Sequence, residues 1–258
     1  MTKEERMEIE LEERKKFDFL PNWRLLLFFL IGWLGFQLIG MVLQTIVMMK
    51  YQVTSVDELS LSSKVFVNFF AYLLLTFALL LSAFKEPLLW LIRRFKEGKA
   101  LRDGVAYGFF LLLVSSALGI LINWIRKDAD INANESAIRE MAKAYPFFTI
   151  IMTVFLAPVC EEMTYRLGLF GMIRKRNRYV AYALGACIFA LIHFQPFTDD
   201  ETVSKTAYLI NELWNLPSYI VSGLILCRAY EKHGNIATSM IAHAINNGVA
   251  VISTIIAN

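Results

Sequence analysis

The chain is poor in the residues that most often betray a site. It has three cysteines, Cys160, Cys187 and Cys227. The odd number implies no disulfide framework, and each stands in or beside an apolar run, where a thiol is expected to pack as a small buried hydrophobe. Histidine is equally scarce, with His193, His233 and His243, and none forms the H-E-x-x-H pair of a zinc peptidase. No basic tract and no zinc-finger spacing points to nucleic acid. There is no internal repeat and no low-complexity stretch. The N-terminus does not read as a cleavable leader. Residues 1–18 mix acids and bases densely, and the apolar stretch after them is too long for a signal h-region and lacks a small-residue cleavage pattern. Residues 1–23 are therefore expected to be a cytoplasmic tail, followed by a retained first span.

What the chain has in excess is apolar sequence. Of 258 residues, 57% are apolar, against roughly 45–50% in an ordinary soluble domain, and the mean hydropathy is +0.49. The excess lies in long runs near residues 25–49, 65–84 and 105–125, then 146–173, 179–194, 208–227 and 236–257. Most are about 20–25 residues long, enough to cross a hydrocarbon core of about 30 Å at about 1.5 Å per residue. The expected fold is thus all-α, a polytopic transmembrane helical bundle of about seven spans, or eight. The sixth run is interrupted by Asn211, Glu212 and Asn215, and Pro217 is expected to kink or shorten it. Segment 86–99 alternates apolar with basic residues, as an interfacial amphipathic helix does. The polar stretch 126–145 divides an N-terminal transmembrane region, 24–145, from a second one, 146–257.

The net charge of +3 matters less than where the cations lie. The tail, Arg24 just after it, and loops 85–102, 174–178 and 228–232 hold 18 Lys and Arg, against 7 in the loops of the other side. By the positive-inside rule the first side is cytoplasmic. With seven spans the C-terminus lies outside. The partners this implies are the lipid bilayer and whatever the bundle holds.

Polar groups inside spans cost about 2.5–3.5 kcal/mol per charge and by default mark function. Four places stand out: Glu161-Glu162 with Arg166; Phe189 and His193; His243 with Asn247; and the softer cluster Asn211, Glu212 and Asn215, read as the wet end of a span. Glu162 and Arg166 at i, i+4 can pair on one helix face. Glu161, rotated by about 100° on a regular helix, is left for another partner. His193 and His243 fall at depths that allow one shared site nearer the cytoplasmic side. His233, in His233-Gly234-Asn235, reads as a turn residue.

The set Glu161-Glu162-Met163-Thr164-Tyr165-Arg166, Phe189-Ala190-Leu191-Ile192-His193 and His243-Ala244-Ile245-Asn246-Asn247, each in its own apolar segment, resembles the CAAX protease and bacteriocin-processing (Abi) family of intramembrane endopeptidases. The resemblance covers roughly residues 146–256; the first three spans carry none of it. It implies a helical bundle with an internal site that hydrolyses a membrane-associated peptide or protein. Glu161 would activate water with help from His193, and His243 and Asn247 would bind the oxyanion. Glu162, Arg166 and Phe189 would support them, with no cofactor required. Eukaryotic members cleave prenylated proteins, and bacterial relatives are linked to peptide maturation and bacteriocin immunity. Short tails and no soluble domain suggest a bacterial plasma membrane.

Other readings stay open. Glu and His are zinc ligands, so a metallopeptidase is an alternative. A Cys160 nucleophile is disfavoured by the neighbouring carboxylates. An immunity factor or scaffold, or a proton path, could use the same buried polar groups without catalysis. The sequence fixes neither substrate nor oligomeric state.

Overall fold

The computed structural model describes residues 3–83, 92–127, 132–198 and 204–257. We number its helices α1 (Lys3–Lys15), α2 (Asn22–Tyr51), α3 (Leu61–Ser82), α4 (Gly98–Ile125), α5 (Ala133–Ala144), α6 (Pro146–Arg174), α7 (Arg178–Leu191), α8 (Lys205–His233) and α9 (Ile236–Ile256). The expected bundle is therefore present. Among the described residues, α2, α3, α4, α6 and α9 are long and apolar enough to span a bilayer.

The other two expected spans differ from that pattern. Helix α7 has 14 residues and stops at Leu191, so His193 lies beyond it, on a tightened last turn where His193 N–H bonds to the Ala190 carbonyl at 3.1 Å. Helix α8 is 29 residues and runs unbroken through Pro217, but its polar residues make it less apolar than the other long helices. The polar break at 126–145 contains α5, whose N-cap Asn132 accepts from Asn134 N–H at 2.9 Å. Most of the expected interfacial helix at 86–99 lies outside the described residues.

Helix α6 is the axis of the bundle. Residues Glu162–Phe170 are buried without interruption, the pattern of a helix surrounded on all sides. It is not a regular α-helix: Ile151–Leu156 and Glu162–Phe170 are π-helical, with the short α-helical turn Ala157–Glu161 between them. Pro158 supplies a cause for the first, since its ring would meet the carbonyl of residue 154 in a regular helix and a widened turn relieves that contact. Helix α2 lies on the π-helical part of α6 and on α3, α9 lies on α4, and α7 pairs with α8. The α2–α6 contact depends on glycine: a Cβ at Gly168 would stand 2.8 Å from Phe29 N and 3.0 Å from the Leu25 carbonyl. Small residues allow this close approach of backbones.

The end of the bundle that holds the Lys- and Arg-rich loops is tied by charge. Arg174, fully buried, pairs with Glu231 of α8 and with Glu10 of α1 at 2.8 Å. Glu231 also accepts from Arg178 (2.9 Å) and from the Tyr182 hydroxyl (2.7 Å). The N-terminal segment is thus docked, and Phe17 is buried edge-on against Phe170 and Tyr230. His233 is the last residue of α8 rather than a loop residue, with Nε2 2.9 Å from Asp103 of α4, which also pairs with Lys232 at 2.7 Å. Cys160 and Cys227 are buried as expected, whereas Cys187 is exposed on the outside of the bundle.

Gly168→Ala should lower the thermal unfolding midpoint of the detergent-solubilised protein. The cost of overpacking is about 1–3 kcal/mol, because the opposing atoms are backbone and cannot rotate away.

Candidate active site

The three motifs meet at the junction of α6, α7 and α9. Glu162 and Arg166 have no solvent exposure and pair at 3.2 Å, as their spacing predicted, although the turn that joins them is π-helical. The Arg166 guanidinium lies over the Phe189 ring at 4.2 Å, so charge and the aromatic face hold it rather than aligned hydrogen bonds. The Phe189 ring in turn touches His193 (4.7 Å between centroids) and His243 (5.9 Å).

Each histidine is held by its Nδ1. In His243 that atom lies 2.9 Å from Glu162 Oε1. In His193 it lies 2.7 Å from the Phe189 carbonyl. A carbonyl and a carboxylate only accept, so in both rings Nδ1 carries the proton and Nε2 is an acceptor while the ring is neutral. His243 Nε2 becomes a donor only after taking a second proton, and Glu162 then supplies the counter-charge. Tyr219 stacks on His193, with ring centroids 4.5 Å apart and planes at 16°.

Glu161 is treated differently from its neighbour. Its Oε1 accepts from the Tyr72 hydroxyl at 3.1 Å. Its Oε2 has no hydrogen-bond partner among the described residues and stands 3.8 Å from His243 Nε2. Asn247, one turn beyond His243, donates from Nδ2 to the Thr153 carbonyl at 3.1 Å, in the first π-helical segment. That uses one of its two amide hydrogens. Glu161, His193, His243 and Asn247 all line one cavity of about 1420 Å3, and Tyr72 and Tyr219 line it with them. Among the described residues no group of three or more His, Cys, Asp or Glu is arranged to hold a metal ion.

Two parts of this arrangement were not legible in the motifs. Tyr72 belongs to a span outside the resemblance, where a lone tyrosine in an apolar run reads as packing. Glu212, read as the wet end of a span, is buried. Its carboxylate accepts from Asn132 Nδ2 (2.6 Å), Ala133 N–H (2.9 Å) and Gln195 N–H (3.2 Å). Asn132 also donates to the His193 carbonyl at 3.2 Å and accepts from Tyr219 at 3.1 Å. Glu212 therefore ties α8 to the start of α5 and to the turn that carries His193. A buried carboxylate in an apolar helix was the available signal.

Residues 143–249 match a family model described as Rce1-like, type II CAAX prenyl endopeptidase. The chain is 24% identical over 143 residues to the UPF0177 protein YvdC of Lactococcus lactis, an alignment covering 55% of this chain and 49% of that protein. It is 25% identical over 149 residues to the membrane-embedded CAAX protease MroQ of Staphylococcus aureus, covering 56% of this chain and 55% of the relative. The chain thus spans about half the length of the curated relatives it matches. No solved structure matches. The family resemblance read from the three motifs is borne out, over the segment that carries them.

Glu212→Gln should be destabilising, because an amide NH2 would face N–H donors that now meet a carboxylate oxygen. The expected loss is about 1–3 kcal/mol, read as a lower melting temperature in detergent. An unchanged melting temperature would show that the carboxylate is replaceable.

Proposed function

We propose that this membrane protein, whose residues 143–249 are those of a type II CAAX prenyl endopeptidase-like segment, is an intramembrane endopeptidase that hydrolyses a membrane-associated peptide or protein with a glutamate-activated water. The observation that carries this reading is the division of labour in the Glu161-Glu162 pair. Glu162 is engaged through Oε1 by Arg166 and His243, while Glu161 lines the cavity and its Oε2 has no hydrogen-bond partner among the described residues.

In this reading Glu161 takes a proton from water as the oxygen attacks the scissile carbonyl, and later returns it to the leaving amine. His193 helps to orient the water through Nε2, its acceptor atom. Asn247 gives its second amide hydrogen to the developing oxyanion, and His243 does the same from a protonated Nε2 balanced by Glu162. Glu162, Arg166 and Phe189 position His243 and carry no proton in the reaction. Tyr72 holds the Glu161 carboxylate in one rotamer.

The test is cleavage of a membrane-anchored peptide carrying a fluorophore and quencher, by purified protein in detergent. Glu161→Gln keeps the shape and removes the base, so the rate should fall by about 10²–10⁴-fold with an unchanged melting temperature. Full activity in Glu161→Gln would overturn the mechanism and favour a binding scaffold. Loss of wild-type activity with a chelator, restored by zinc, would favour a metallopeptidase.

A further inference from the structure

We infer that the catalytic cavity opens toward the non-cytoplasmic face of the membrane, so that its substrate is a peptide segment displayed on that side. The inference rests on the proteolytic reading for the nature of the substrate, but on geometry and charge for the direction.

The direction follows from where α4, α7 and α9 meet the cavity, which α2 (Phe29 to Gln37) and α8 (Asn215 to Leu226) line nearer their middles. Helix α4 lines it from Leu111 to Asn123, the half that ends at residue 125. Helix α7 lines it only from Ile188 onward, through the turn that ends at Gln195. Helix α9 lines it from His243 to Ser253. All three run toward the same end of the bundle, where α5 adds Asn134 and Arg139 to the lining. The opposite end is closed among the described residues. Phe17, Leu25, Phe170, Tyr230 and Ile236 fill it, and the Arg174–Glu231 and Asp103–Lys232 pairs tie its helix ends together. By sequence, the tail, Arg24 and the loops on that side hold 18 Lys and Arg, against 7 in the loops of the other side. Positive residues stay on the cytoplasmic side, so the open end faces away from it.

The lining also selects the ligand chemistry. Among the described residues its only carboxylates are Glu161 and Glu135, and its only guanidinium, on Arg139, is paired with Glu135 at 2.6 Å. The remaining polar lining is the imidazoles of His193 and His243 and, for the rest, mostly amide and hydroxyl, from side chains such as Gln37, Asn68, Ser115, Asn215 and Asn246. Among the described residues of the lining a phosphate headgroup would find no unpaired Lys or Arg. An extended peptide has neutral backbone donors and acceptors that need partners once they leave water, and amides and hydroxyls supply both kinds.

The test reads accessibility and needs no turnover, so it is independent of the catalytic reading, which stands or falls with Glu161→Gln. Cysteines are introduced singly as Ala137→Cys at the mouth, Ser115→Cys deeper in the cavity, and Arg176→Cys at the closed end. Intact cells are treated with a membrane-impermeant sulfonated maleimide. Labels are counted by intact mass against the parent chain with its native Cys160, Cys187 and Cys227. Ala137→Cys and Ser115→Cys should each gain one label on intact cells, and Arg176→Cys only after permeabilisation. Labelling of Arg176→Cys on intact cells would overturn the orientation. Protection of Ser115→Cys on intact cells, whether or not permeabilisation exposes it, would overturn the opening.

Discussion

A carboxylate and a guanidinium with no access to water cannot be left apart inside a bundle surrounded by hydrocarbon. Glu162 and Arg166 are in that position. Removing either partner from such a pair costs several kcal/mol, because the other is left as an uncompensated buried charge. The rest of the centre is arranged around that constraint. Phe189 brings α7 against the guanidinium, and His243 brings α9 against the carboxylate. One charge pair thus fixes the meeting point of three helices. It also creates chemical asymmetry between two adjacent glutamates, since Arg166 and the His243 Nδ1 atom pair with Glu162, whereas Glu161 lines the cavity and meets only the far nitrogen of His243, at 3.8 Å.

That asymmetry explains how much of the site was legible in sequence. Charges in apolar runs are costly, so Glu161, Glu162, Arg166, His193 and His243 stood out from composition alone, and the order and spacing of the motifs supplied the family. The spans were legible for the same reason, because a bilayer demands long apolar runs. Local geometry was not. A π-helical turn leaves no hydrophobic period of its own, so reading Glu161–Arg166 as a regular helix gave the right pair by the wrong curvature. Tyr72 was silent because a phenol in an apolar helix packs as readily as it donates. Glu212 was visible as a polar residue but misplaced, since sequence shows a carboxylate and not the three N–H groups, drawn from two other segments, that converge on it. The docking of α1 was hidden for a similar reason: a helix dense in acids and bases reads as solvated until Arg174 is found buried opposite Glu10.

The two kinds of glutamate use in this chain share one logic. Glu162, through Oε1, and Glu212 and Glu231, through both carboxylate oxygens, meet donors or cations and serve as tie points between elements that are distant in sequence. Glu161 receives one bond from Tyr72. The tie points fix α1, α5, α6, α7, α8 and α9 relative to one another. Rigid placement of neighbouring helices lets the site groups keep their relative positions, which transition-state stabilisation by fixed dipoles requires.

The shortness of α7 has a consequence for the lipid around it. Fourteen residues rise about 21 Å, against about 30 Å of hydrocarbon in a typical bilayer. A helix that falls short is met by local thinning of the bilayer or by snorkelling of the residues that flank it. Helix α7 ends at Leu191, just before the turn through His193, so thinning at that end would draw the polar headgroup region inward beside the cavity. A membrane of longer acyl chains would resist that dimple. The acyl-chain length of the host bilayer therefore bears on the flank of the protein where the turn that carries His193 sits.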